Sequence, residues 1–180
     1  MIRTQQMANH DYDWFCIIND MPVCLASNGG FIPNAVNKDN RVVNMQARAY
    51  NLPRYTSFHL NTTYIAANIT NRGFAYVNDL NSPYRELLRP HDINYPPATP
   101  LEVQYYCEYF AKMAERGLYV FDRIESDLYS LIAWPENSDM ELLRSRLFKD
   151  DAVCLEADTL DFTQPETLVG INIIDLFVNI

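Results

Sequence analysis

Asp13-Trp14-Phe15-Cys16-Ile17-Ile18-Asn19-Asp20-Met21-Pro22-Val23-Cys24-Leu25-Ala26-Ser27 is the stretch on which the reading of the fold turns. Residues 13–18 and 23–27 are both β-prone. Between them Asn19-Asp20-Met21-Pro22 is turn chemistry, and Asn28-Gly29-Gly30 closes the second run. Two such runs around a short polar loop predict a β-hairpin. Its register has a consequence for the thiols. A three-residue loop, 19–21, sets Cys16 opposite Cys24 on one face, whereas a two-residue loop separates them. Either way both cysteines read as small core hydrophobes.

Working outward, residues 1–11 are polar and read as a loose segment. Beyond the hairpin, Asp39 or Asn40 can cap a helix, and Val42, Val43, Gln46, Ala49 and Tyr50 fall near helical spacing. A helix is expected over about 35–50, ending before Pro53. Phe58 and Leu60 alternate as in a strand. Residues 61–69 fit either a capped helix ending at Gly73 or a second strand. Residues 74–77 read as a short strand, Ser82-Pro83 as a helix start, and 91–98, with Pro96-Pro97, as a linker.

The second half is more sharply punctuated. Thr99-Pro100-Leu101-Glu102 is a capping box with proline at the first helical position, and Gly117 is the stop. Val103, Cys107, Phe110 and Ala114 form the apolar stripe of that helix. Residues 118–122 and 128–134 read as strands joined by a turn through 125–127. Ser138-Asp139-Met140-Glu141 is a second capping box, opening a helix to about Phe148. Val153-Cys154-Leu155 reads as a strand. Residues 168–180 fit a strand or a helix, with Thr163 and Glu166 as a third box. So apolar a tail needs cover, from the chain's own sheet or from a second subunit.

Composition bounds the function. The 180 residues are 48% hydrophobic and 21% charged, which excludes a wholly disordered chain. No apolar run reaches the roughly 18 residues of a membrane helix, and the first residues lack a secretory core, so a cytoplasmic chain with reduced thiols is expected. The net charge is −9 and unevenly placed. Residues 1–100 carry 8 basic and 7 acidic side chains, and residues 101–180 carry 6 and 16. Three lysines and an acidic second half argue against nucleic acid and anionic membrane as direct ligands. They suit a basic partner steered in by long-range attraction.

Catalytic signatures are weak. Four cysteines show no C-x-x-C pair, and no glycine-rich phosphate loop occurs. His10, Asp11 and Asp13 could bind a divalent ion, but a loose N-terminal segment rarely makes a rigid site, and His91-Asp92, between Pro90 and Pro96, lacks the helical frame a His-Asp metal site needs. Cys16 or Cys24 with His59 or His91 is the formal nucleophile–base option. Asp150, Asp151, Glu156, Asp158 and Asp161 form the densest acidic cluster, without the spacing of a calcium loop. Tyr105 and Tyr109 share one helix face, and exposed tyrosines serve as interface anchors.

These readings converge on an α+β chain with an antiparallel or mixed sheet, an N-terminal hairpin and three to five helices in a single domain, 12–180. The expected function is non-catalytic binding of a protein partner, of inhibitor or immunity type and bacterial or phage style. The contact residues are Tyr105, Tyr109, Asp150, Asp151, Asp158 and Asp161, and no cofactor or metal is expected. The alternatives are a small hydrolase using a cysteine or a His/Asp metal site, and a homo-oligomer closed by the apolar C-terminus.

Overall fold

The hairpin is present, and its loop has two residues. β1 (Trp14–Ile18) pairs antiparallel with β2 (Met21–Ala26), with Ile18 opposite Met21 and Phe15 opposite Cys24. Asn19 and Asp20 both have positive φ, 50° and 60°, the backbone that a type I′ turn demands and that Asn and Asp tolerate best. Cys16 therefore faces Val23, and the two cysteines lie on opposite faces of the sheet. Pro22 sits one residue before β2 begins its second pairing, so its missing N–H interrupts no ladder.

This is a computed structural model, and it describes residues 12–27, 32–33, 36, 41–62, 64–65, 100–125, 128–149 and 153–177. Among these, α1 is Arg41–Tyr50, β3 Phe58–Leu60, α2 Pro100–Ala114, β4 Tyr119–Glu125 and β5 Leu128–Pro135. α3 (Met140–Leu143) continues as one π-helical turn, Arg144–Phe148. After it come β6 (Cys154–Leu155) and β7 (Ile171–Asn172), with 3-10 turns at Pro165–Thr167 and Ile174–Phe177. The segments expected at 1–11, 74–77, 82–90 and 91–98 lie outside the described residues.

The seven strands form one mixed sheet in the order β3-β5-β4-β2-β1-β6, with β7 on the far end of β5. β2/β4 and β1/β6 are parallel, and the other pairs are antiparallel. Both faces are buried. Phe15, Ile17, Cys24, Val120 and Ile132 point to one side, against Met45 and Ala49 of α1, Cys107, Phe110, Met113 and Ala114 of α2, and Leu143, Leu147 and Phe148. Trp14, Cys16, Val23, Leu25, Phe121 and Leu131 point to the other. There Leu155, Ala157, Leu160, Leu168, Ile173 and Phe177 of the C-terminal segment cover them. Each fully buried aliphatic or aromatic side chain contributes about 1.5–3 kcal/mol. In the described part of the tail, Leu168, Ile173 and Phe177 are thus buried against the chain's own sheet, through a short strand and 3-10 turns rather than one long element, while Val169 is exposed and residues 178–180 lie outside the described residues.

Local differences have local causes. In α1 the buried stripe is Val42, Met45 and Ala49, while Val43 and Tyr50 face outward. Asp139, not Ser138, caps α3: its Oδ1 accepts the Leu142 N–H at 2.9 Å, while the Ser138 hydroxyl donates to the Gly117 carbonyl at 2.8 Å. Thr163 caps nothing, because its N–H and hydroxyl both donate to Asp161 Oδ1. Asn61 resolves the ambiguity at its own position: its Oδ1 accepts the Tyr64 N–H, and Thr62, Tyr64 and Ile65 are helical. No helix among the described residues is long and apolar enough to cross a membrane.

Candidate functional site

The C-terminal segment that closes the second face of the sheet is also its most one-sided in charge. Residues 153–177 contain five carboxylates, Glu156, Asp158, Asp161, Glu166 and Asp175, and no lysine or arginine. All five side chains are exposed. Among the described residues none of them is within ion-pair distance of a cation. By contrast, Asp20 has Arg144 at 3.7 Å, and Glu108 has Lys112 at 2.5 Å.

The segment is held in a defined place. At its start, β6 lies parallel to β1, and Asn19 of the hairpin turn clamps the chain just beyond β6. The Asn19 side-chain N–H groups donate to the Ala157 carbonyl at 2.8 Å and the Leu160 carbonyl at 3.0 Å, and its Oδ1 accepts the Ala157 N–H at 2.7 Å. Phe162 then packs edge-on against Tyr119 at 5.0 Å and Phe121 at 6.4 Å. Further on, the Leu131 N–H donates to the Leu168 carbonyl, Asn61 donates to the Glu166 carbonyl, and Phe177 meets Trp14 edge-on at 5.2 Å. Leu155, Ala157, Leu160, Leu168, Ile173 and Phe177 of this segment are buried, whereas its carboxylates point out. Asp161 is kept well charged: the hydroxyl and N–H of Thr163 stabilise the carboxylate and hold its pKa below the ordinary range.

Of the expected contact residues, Asp158 and Asp161 are therefore exposed on one anchored loop. Asp150, Asp151 and the side chain of Tyr105 lie outside what the structure describes. Tyr109 is half-buried, and its hydroxyl is turned into the protein, where it donates to Asp13 Oδ2.

Asp13 is the centre of a buried polar cluster that the sequence pattern does not reveal. Only 6% exposed, it also accepts from Gln46 Nε2 at 3.3 Å, and Cys24 Sγ lies 3.8 Å from the Tyr109 hydroxyl. The hairpin, α1 and α2 thereby meet at one carboxylate. Burial and the neighbouring Cys24 and Asp13 push the Tyr109 phenol well above its usual pKa, so it remains a donor. Half-exposed Tyr50 adjoins the same cluster, and burial pushes its pKa upward too. The Arg116 guanidinium closes the outside of this junction, donating to the Tyr50 carbonyl at 3.2 Å and the Lys112 carbonyl at 2.5 Å. The arrangement joins three elements rather than opening a cleft.

Three of the four thiols are placed poorly for nucleophilic attack, and Cys154 is exposed on β6. Cys16, Cys24 and Cys107 are buried. Burial raises all three pKa values, that of Cys107 to about 11, so at neutral pH they are protonated thiols. His59, on β3, stacks on Trp134 with ring centroids 5.7 Å apart and has Glu136 at 3.9 Å. His10, Asp11, His91 and Asp92 lie outside the described residues, and among those described no group of three or more His, Cys, Asp or Glu side chains is arranged to hold a metal. A shallow groove lies beside β3, lined by Arg54, Tyr55, Thr56, Ser57, Phe58 and Glu115. No protein-family model, no curated protein and no solved structure matches this chain.

Proposed function

We propose that this protein is a non-catalytic binding protein, regulatory or of inhibitor or immunity type. In this reading it works in the cytoplasm and docks a basic protein surface against the acidic face of its C-terminal segment. One observation carries the reading: five exposed carboxylates with no cation among the described residues to neutralise them, on a segment anchored to the sheet by Asn19, Phe162, Leu168 and Phe177. Unpaired charges on a fixed frame raise the encounter rate with an oppositely charged partner, and docking gives up little further backbone freedom. Asp158 and Asp161, with Glu156 between β6 and the Asn19 clamp, are the proposed contacts. Tyr105 and the acidic pair Asp150 and Asp151 extend the same proposal. Tyr109 belongs to it only as part of the support beneath α2.

The test is affinity capture with the full chain against a variant carrying Glu156→Gln, Asp158→Asn, Asp161→Asn and Glu166→Gln. An unchanged urea midpoint shows that the variant remains folded. The expected result is one set of proteins retained by the parent at low salt, and released both by high salt and by the four substitutions. Equal recovery by parent and variant at both salt concentrations would overturn the proposal.

A further inference from the structure

We draw no further inference here: the strongest candidate, the shallow groove between the outer edge of β3 and the end of α2, already has its opposite charges Arg54 and Glu115 facing one another at 3.4 Å, and nothing in the structure shows what covers it.

Discussion

Tyr109→Phe removes one hydroxyl and leaves the ring, so it isolates the bond that this hydroxyl donates to Asp13. The carboxylate is almost wholly shielded from water, which cannot simply replace the lost donor. Hydrogen bonds to charged groups contribute about 1.5–3 kcal/mol, and a loss within that range is expected. The Cys24 thiol, which lies beside the Tyr109 hydroxyl, is too weak a donor to compensate. With a urea dependence of about 2 kcal/mol per molar, the unfolding midpoint should fall by roughly 1 M. The companion is Asp13→Asn, alone and combined with Tyr109→Phe. If the two groups act on each other, the double variant should be less destabilised than the two single losses added together, by about 1 kcal/mol or more. Gln46→Ala, which removes the longer bond at 3.3 Å, should cost less than Tyr109→Phe. A Tyr109→Phe midpoint within about 0.2 M of the parent, or strict additivity with Asp13→Asn, would refute the view that this carboxylate holds the helices to the hairpin.

Three further outcomes are expected. Asn19→Ala loses three bonds to residues 157 and 160 and puts a β-carbon residue without a polar side chain at φ 50°. It should destabilise by about 2–3 kcal/mol, while Asn19→Gly relieves the backbone but loses the same bonds and should still cost about 1–2 kcal/mol; a glycine variant with the parent's urea midpoint would sink the clamp. Gly117→Ala places a β-carbon 1.9 Å from the Tyr55 hydroxyl at φ 88°, and Tyr55 also accepts the Asp139 N–H. A loss of about 2–4 kcal/mol is expected, reduced but not abolished in a Tyr55→Ala background, and a neutral substitution would contradict the close approach. On the alkaline side, Cys107 is raised from 9.0 to about 11 by burial, and Cys16 and Cys24 shift in the same direction. The unfolded chain therefore loses these protons first. Stability is fully present below about pH 9 and falls as pH rises from 9 towards 11. Urea midpoints measured across that window should decline, and Cys107→Ala should flatten the decline; a parent curve level to pH 11 would contradict it.

Features that depend only on near neighbours along the chain were legible in the sequence. Asn19-Asp20 tolerates the positive φ of a tight turn, and Gly117, at φ 88°, stops α2. The alternation and branching of residues 118–122 and 128–134 produced strands close to the expected bounds. The acidity of the second half was equally plain, because charge is a property of composition. Where two local signals competed, sequence alone could not choose. Ser138 and Asp139 can each cap the same helix, and Asp139 wins because Gly117, 21 residues away, takes the Ser138 hydroxyl. The C-terminal tail has both helical and strand periodicity, and the sheet it must cover selects neither at full length.

The remaining decisions belong to the tertiary structure. A hairpin loop shorter by one residue puts Cys16 and Cys24 on opposite faces, since strand side chains alternate with period two. Tyr109 and Asp13 are 96 residues apart, and no periodicity links them. From spacing alone the tyrosine reads as an exposed anchor and the aspartate as the end of a strand. Their contact exists only because α2 lies across the hairpin face that carries Cys24. The acidic segment is the mixed case: its five carboxylates are written in the chain, but their common exposure is set by the apolar residues between them, which a seven-stranded sheet must bury. Short-range dihedral and charge preferences act before folding is complete, whereas register, face and partner are fixed only when distant surfaces exclude water together.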